Sequence, residues 1–122
     1  MNASCPFCVP PDVLLENVLA YVLRDLFPAS PGHLLILPRR HVASWFETTP
    51  EERQALFELA DVARRLIDAE FHPDGYNLGI NVGEAAGQTI FHVHLHLIPR
   101  YRGDVANPRG GVRGVIPSKQ SY

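Results

Sequence analysis

The chain is 122 residues long, 46% of its residues are hydrophobic and 20% are charged, and its formal net charge at pH 7 is −2. This length and composition are typical of one globular domain, which we place at 1–122 and which can bury a modest core of its own. The slightly negative net charge excludes an overall surface for polyanions, so we expect no nucleic-acid partner.

The N-terminal segment, 1–12, carries both cysteines of the chain, Cys5 and Cys8, in the sequence CPFC. It has neither a basic start nor an apolar stretch, and no apolar run in the chain approaches the ~20 residues that cross a bilayer. We therefore expect a cytoplasmic protein without a membrane partner. In a reducing compartment, two cysteines three positions apart favour a metal-binding or redox pair over a structural disulfide.

The first predicted elements are strands. Two short strands, 13–17 and 19–25, are predicted to form a hairpin. The segment FPASPG, 27–32, has the prolines and the glycine of a turn. The next segment, HLLILP at 33–38, is a continuous apolar run of the kind found in a buried central strand, and its final proline ends it because proline cannot donate to a sheet ladder.

One long helix is predicted from about Pro50 to Glu70. Thr49 is the expected N-cap, Pro50 fits the first helical position, and Glu52 completes a T-x-x-E capping box. Apolar residues recur with helical spacing and are expected to face a core. They are Leu56, Leu59, Ala60, Ala63, Leu66 and Ile67.

After the helix the sequence predicts two more strands separated by a loop. HPDG at 72–75 ends the helix, YNLGIN at 76–81 is a strand, GEAAGQT at 83–89 is a loop, and FHVHLHLI at 91–98 is the last long strand. We find no internal repeat and no linker. The fold class is therefore α+β, with a mostly antiparallel sheet of about five strands and one long helix.

Three histidines alternate with apolar residues in the last predicted strand. Side chains alternate between the faces of a strand, so His92, His94 and His96 are expected on one face. The opposite face would pack under the helix through Phe91, Val93, Leu95 and Leu97. Positions two apart lie ~6.6 Å apart, so neighbouring imidazoles can touch one small ligand. From the residues alone two interpretations stay open: all three bind one metal, or one acts as nucleophile or acid–base while its neighbours fix its tautomer and bind substrate.

The loop before the histidines favours the second interpretation. GEAAGQT supplies glycines for close backbone approach, and Gln88 and Thr89 supply polar donors just ahead of His92. Donors and imidazoles without an adjacent carboxylate suit an anionic phosphoryl group better than a hydrolytic metal.

The sequence HVHLHLI matches the motif His-φ-His-φ-His-φ-φ and resembles the histidine triad (HIT) family. PGHLLILPRRH at 31–41 and NVGEAAGQTIFHVHLHLIPR at 81–100 resemble blocks of that family in order and spacing, and the resemblance extends from about Cys5 to Arg102. It implies a HIT-like fold and a hydrolase or transferase that cleaves nucleoside phosphates at the α-phosphorus through a nucleotidyl-histidine intermediate. A dinucleoside polyphosphate or a nucleoside phosphoramidate would be the substrate.

The resemblance also implies catalytic roles. His94 would attack phosphorus, His96 would bind phosphate oxygens, and His33 would support the triad from behind. Asp25 would accept from the ribose hydroxyls. Further substrate contacts would come from Asn81, Gln88 and Thr89 at the phosphate or leaving group, and from Phe7, Leu23 and Leu26 at the base.

A zinc site is implied in the same way. In the zinc-carrying branch of the family, a C-x-x-C pair is joined by the histidine after P-x-x and by the first histidine of the triad. The corresponding residues here are Cys5, Cys8, His41 and His92. Four protein ligands saturate a tetrahedron, so we expect one structural Zn²⁺ per chain.

The resemblance further implies a homodimer. The tail, 103–122, is rich in glycine and arginine and resembles C-terminal segments of bacterial members described as dinucleoside polyphosphate hydrolases. Arg109 and Arg113 are its candidates for distal phosphates. Two alternatives stay open: a non-enzymatic nucleotide-binding or interaction protein on the same fold, and a zinc hydrolase with all three histidines on one metal.

Overall fold

A computed structural model of the chain describes residues 4–122, so the first three positions of the N-terminal segment lie outside the described residues. Within residues 4–122, five strands join in one antiparallel sheet of order β1-β2-β3-β5-β4, and one long helix packs against it. The bounds are β1 Leu15–Glu16, β2 Ala20–Arg24, β3 Leu34–Pro38, α1 Pro50–Phe71, β4 Gly75–Ile80 and β5 Leu95–Arg100. The predicted α+β class, with about five strands and one long helix, is confirmed.

Helix α1 begins as the sequence predicts. The Thr49 hydroxyl accepts from the Glu52 N–H, and the Glu52 carboxylate accepts from the Thr49 N–H, which completes the capping box. The helix ends at His72, whose φ of 53° lies in the left-handed region. Most of the predicted apolar stripe is buried, but Leu66 is 38% exposed because it lines an open cleft between the C-terminal end of α1 and β2.

The sheet has a buried group of side chains on each face. The group toward α1 is the larger, and each large aliphatic side chain in it contributes roughly 1.5–3 kcal/mol on burial. The opposite face buries Tyr21, Leu23, Leu35 and Leu37, with Phe7 from the N-terminal segment packed on them. Among residues 4–122, no helix combines the length and apolar character that crossing a bilayer requires.

Strand β5 begins at Leu95, and the prediction that it starts at Phe91 is wrong. The register pairs Ile36 with Leu95 and so brings Val93 level with Pro38, which has no N–H to offer a ladder. The chain therefore leaves the sheet, and the Val93 N–H donates to the Val42 carbonyl at 2.8 Å. Phe91 is 46% exposed, so its predicted place under the helix is also wrong, whereas Val93 and Leu95 are buried.

Candidate active site

His94 lies immediately before β5 and is half buried. Its Nδ1 is 2.9 Å from the backbone carbonyl oxygen of His92. A carbonyl can only accept, so Nδ1 carries the proton and donates. The lone pair of His94 is therefore on Nε2. This is the tautomer in which a neutral imidazole presents a nucleophilic nitrogen.

Beside His94, the carboxylate cluster consists of Asp25, His33 and His96. The Ala29 N–H donates to His33 Nδ1 at 2.9 Å, so the proton of neutral His33 is on Nε2. That nitrogen lies 3.0 Å from His96 Nδ1 and 3.4 Å from Asp25 Oδ2. His96 therefore accepts on Nδ1 and carries its own proton on Nε2.

Burial sets the charge of this cluster. It lowers the pKa of His33, and burial together with the neighbouring His94 and His33 lowers the pKa of His96 to about 4, although Asp25 opposes both shifts. His96 is therefore neutral at pH 7. Its remaining N–H can serve as a fixed hydrogen-bond donor to an anionic oxygen.

The loop ahead of the histidines is held by Gln88, which is 4% exposed. Its Oε1 accepts from the Gly83 N–H, and its Nε2 donates to the carbonyls of Ala43 and Ile90, at 2.7 and 3.2 Å. The two donors of the amide are thus engaged with the backbone. A phosphate contact by Gln88 stays a prediction, and it would require the amide to exchange one of these partners.

The other predicted phosphate contacts lie around this loop. Thr89 is exposed and Asn81 is half buried. Gly83 and Gly87 have φ of 90° and 92°, where an L side chain would be strained, so the two glycines allow the tight path of the loop.

The predicted nucleoside contacts come together in one cavity of about 420 Å³ on the face of the sheet opposite α1. Phe7, Leu23, Leu26 and Asp25 all line it. Leu26 is 85% exposed and lies at the rim. The sequence analysis did not assign the other lining residues to the cavity, since most lie in loops without a periodic pattern: Pro6, Pro10, Pro11, Asp12, Arg24, Phe27, Leu35 and Ile90.

A second group of residues, the thiol cluster, consists of Cys5, Cys8, His41 and His92. Their ligand atoms all lie within 4.8 Å of one another, and both cysteines are buried free thiols. The Sγ–Nδ1 distances are 3.1 Å from Cys8 to His41, 3.5 Å from Cys8 to His92 and 3.6 Å from Cys5 to His92. A tetrahedral zinc ion holds a sulfur and a nitrogen about 3.5 Å apart. These distances and the donor set of two thiols and two imidazoles fit a zinc ion.

The tautomer of His92 suits this arrangement. His92 Nε2 donates to the Pro38 carbonyl at 2.7 Å, which leaves the lone pair of Nδ1 facing the cysteines. The other histidine, His41, follows Arg40, whose guanidinium binds both carboxylate oxygens of Glu52 at the start of α1. Each histidine of the triad thus has a different partner, and one metal bound by all three is not what the structure places here.

The terminal segment 103–122 forms short 3-10 turns, and its side chains are mostly exposed. The guanidinium carbons of Arg109 and Arg113 lie 5.0 and 4.9 Å from the centre of the Tyr122 ring. These two arginines are therefore engaged with an aromatic ring. Their predicted contact with distal phosphates stays a prediction.

Comparison with known proteins gives consistent matches. The protein-family model described as HIT domain matches residues 8–103. Protein hit of Bacillus subtilis is 41% identical over 90 residues, 73% of this chain and 61% of that protein. The AP-4-A phosphorylase of Mycobacterium tuberculosis is 36% identical over 93 residues, 75% of this chain and 48% of that protein. The asymmetrical bis(5′-nucleosyl)-tetraphosphatase of Schizosaccharomyces pombe is 37% identical over 98 residues, 80% of this chain and 54% of that protein.

A solved structure is similar as well. The Zn-bound histidine triad family protein of Mycobacterium smegmatis superimposes with a TM-score of 0.76 at 33% identity, covering 85% of this chain and 80% of that one. The chain spans about half to two thirds of the length of the three relatives described above.

Proposed function

The chain belongs to the HIT domain family, and from that premise we propose that it is a nucleotide hydrolase or transferase that cleaves nucleoside phosphates at the α-phosphorus through His94. The observation that carries this proposal is the tautomer of His94. Its Nδ1 proton is held by the His92 carbonyl, and its Nε2 lone pair is left for attack. A cavity lined by Phe7 and Asp25 lies on the same face of the sheet.

The reaction has two steps. His94 Nε2 donates its lone pair to the α-phosphorus, and the bond from phosphorus to the leaving group breaks with its electron pair going to the leaving group. Water then attacks phosphorus and loses a proton to solvent, the phosphorus–nitrogen bond breaks with its electron pair returning to Nε2, and a nucleoside monophosphate is released. The His96 N–H donates to an equatorial oxygen and stabilises its charge in both transition states.

The cavity and the relatives support a proposal for the substrate class. Asp25 can accept from both ribose hydroxyls, and the apolar lining contributed by Phe7 and Leu23 suits a base. The relatives named as a phosphorylase of AP-4-A and as an asymmetrical tetraphosphatase support a dinucleoside polyphosphate. A nucleoside phosphoramidate would meet the same histidines.

We further propose that the thiol cluster holds one structural Zn²⁺ per chain. Two thiolates and two neutral imidazoles complete a tetrahedron, so no position is left for a reactive water. The zinc would tie the N-terminal segment to the loop after β3 and to the triad. The zinc bound by the relative from Mycobacterium smegmatis supports this assignment.

A two-fold homodimer in the cytoplasm is proposed as the working form. β4 is an edge strand of the sheet, and Leu78 on it is 48% exposed. Phe57 and Val62 on α1 are 53% and 39% exposed. A second copy would cover the open edge and these apolar side chains. Light scattering at micromolar concentration that gives the mass of one chain would contradict the dimer.

The test of the proposed function is a covalent adduct. The protein is mixed with diadenosine polyphosphates or adenosine phosphoramidate, quenched rapidly and analysed as intact protein by mass spectrometry. A nucleotidyl mass increase that disappears in His94→Ala supports the proposal. Nucleotide binding with neither adduct nor turnover would instead identify a non-enzymatic nucleotide-binding protein.

A further inference from the structure

Phe7 connects the thiol cluster to the proposed nucleophile. It lies between Cys5 and Cys8 in the chain, and its ring meets those of two histidines edge to face. The ring centroids of Phe7 and His94 are 5.1 Å apart with 73° between the planes, and those of Phe7 and His92 are 6.1 Å apart with 81°. The same ring lines the cavity proposed for the nucleoside.

The backbone of Phe7 is fixed from the sheet by Tyr21. The Tyr21 hydroxyl donates to the Phe7 carbonyl, and the Tyr21 ring is 3% exposed among Leu23, Leu35 and Leu37. Tyr21 itself touches no group of the carboxylate cluster among the contacts of the described residues. The position of Tyr21 is therefore set by packing in the core, and its hydroxyl restrains the backbone of Phe7.

We propose that Tyr21 is a positioning residue for the reaction: its hydroxyl fixes the backbone of Phe7, so that the Phe7 ring holds the imidazole of His94 in its attacking orientation and closes one wall of the nucleoside cavity. This inference rests on the proposed function, since it takes His94 as the nucleophile. The two cysteines hold the same segment on either side of Phe7 through the thiol cluster. Tyr21 adds a third point of attachment that needs no metal.

The physical reason is that an edge-to-face contact depends on ring placement. The segment 4–12 contains no helix or strand, so its backbone has no ladder to hold it. If the hydroxyl of Tyr21 is removed, the Phe7 carbonyl loses its hydrogen-bond donor. The phenyl ring at position 21 still fills its place in the core, and the proposed zinc ligands are unchanged. The expected consequence is a looser Phe7 ring, a less ordered His94 and a wider cavity.

The experiment compares Tyr21→Phe with the matched control Tyr76→Phe, both zinc-loaded. Tyr76 also loses a hydroxyl with hydrogen-bonded partners, Asp68 and Arg64, but it packs on the α1 side of the sheet. Zinc per chain, adenosine monophosphate affinity by calorimetry, and kcat and KM are measured for each. We expect Tyr21→Phe to keep its zinc, to bind the nucleotide about three- to tenfold more weakly and to lower kcat by a similar factor, the range for loss of one neutral hydrogen bond. The control Tyr76→Phe should change neither nucleotide affinity nor kcat.

A double-mutant cycle separates positioning from a general structural effect. In a Phe7→Leu background, Tyr21→Phe should cause no further loss of affinity or kcat, because the hydroxyl acts through the aromatic ring. An equal loss in both backgrounds would overturn the proposal, and so would loss of zinc in Tyr21→Phe or unchanged kcat and affinity. If Tyr21→Phe does not fold, Phe7→Leu tests the same claim, and an unchanged kcat in that variant overturns it.

Failure of the positioning claim can be told from failure of the proposed function. If wild-type protein binds adenosine monophosphate but forms no adduct and turns over no substrate, the proposed function fails. In that case, if Tyr21→Phe still weakens binding of adenosine monophosphate, the role of Phe7 as a wall of the nucleoside cavity is supported. The part of the inference that concerns the orientation of His94 is then overturned.

Discussion

Two groups of potential metal ligands flank His94, and they differ in the tautomers of their histidines. The thiol cluster (Cys5, Cys8, His41, His92) and the carboxylate cluster (Asp25, His33, His96) each bring their ligand atoms within 4.8 Å of one another. By distance alone, either group could hold an ion. They differ in the hydrogen bond made by the ring nitrogen that points away from the cluster.

In the thiol cluster, the Pro38 carbonyl accepts a hydrogen bond from His92 Nε2–H, and the lone pair of Nδ1 faces the cysteines. In the carboxylate cluster, the Ala29 N–H occupies the lone pair of His33 Nδ1, so the nitrogen that faces His96 carries a proton. A protonated nitrogen cannot bind a metal. One backbone group on the far side of each ring thus fixes which nitrogen is protonated, and this supports the proposed metal ligand at His92 and the proposed hydrogen-bond donors at His33 and His96.

The largest expected effect lies at the residue between the clusters. His94→Ala should lower kcat by several orders of magnitude while leaving nucleotide affinity nearly unchanged, because the nucleophile is lost but the cavity and the His96 donor remain. Single-turnover kinetics and calorimetry on the same preparation measure both quantities. A variant that keeps more than about a tenth of the rate, a loss below ~1.4 kcal/mol, would place the nucleophile elsewhere.

Removing a ligand of the thiol cluster should lower the stability of the protein more than its activity. Cys5→Ser or His41→Asn should lower zinc content and the melting temperature, because metal binding contributes to the free energy of folding. Most activity at low temperature should be spared. Metal analysis and thermal unfolding report the effect, and His72→Asn serves as control, since His72 is an exposed histidine outside both clusters.

The zinc proposal has its own contrary outcome. If protein purified without chelator contains no zinc and both cysteines titrate as free thiols, the cluster is a set of thiol–imidazole hydrogen bonds and the structural metal does not exist. Zinc at more than one equivalent, with the second ion lost in His33→Asn, would break the distinction between the two clusters.

The carboxylate cluster should instead give the protein sensitivity to acid. The pKa of folded His96 is about 4, below the ordinary value of 6.5, so between these values the unfolded chain binds a proton that the folded chain does not. Stability is therefore fully present above about pH 6.5 and is lost as pH falls toward about 4, by an amount of the order of 3 kcal/mol for His96. The lowered pKa of His33 acts in the same direction.

Urea unfolding of metal-free protein between pH 7 and pH 4 measures this loss without the contribution of zinc. His96→Asn should flatten the dependence on pH relative to the wild-type chain. An equally steep curve in the variant would assign the acid sensitivity to other groups.

The smallest effect is expected at Asp25. Asp25→Asn keeps an oxygen for the Phe27 N–H, which now donates to Asp25 Oδ1 at 2.8 Å, but the amide is a weaker acceptor for ribose hydroxyls. Affinity for adenosine monophosphate should fall by about tenfold or less, and affinity for the 2′-deoxy nucleotide by a smaller factor. Equal losses for both nucleotides would remove the ribose contact.

Much of the fold was predictable because local chemistry and tertiary packing agree. The helix is marked by its own cap at Thr49 and Glu52, and β3 by a continuous apolar run. The start of β5 was not predictable from its own residues. It depends on Pro38, a residue of the neighbouring strand that has no N–H to pair with Val93.

The site shows the same division. The thiol cluster followed from a resemblance in spacing, and the structure brings its four ligand atoms together. The engagement of the Gln88 amide by the Ala43 and Ile90 carbonyls was not predictable, nor was the bond from Tyr21 to Phe7. These contacts involve loop residues, and two of the three join segments that are distant in the chain. A periodic sequence pattern does not predict such contacts.

The proposed roles of the histidines are tested most directly by identifying the protonated nitrogen of each ring. Long-range ¹H–¹⁵N spectra of the zinc-loaded protein at pH 7 distinguish the two tautomers of a neutral imidazole. We predict that His94 carries its proton on Nδ1 and that His33 and His96 carry theirs on Nε2. A proton on Nε2 of His94, or on Nδ1 of His33, would contradict both the proposed nucleophile and the division of labour between the two clusters.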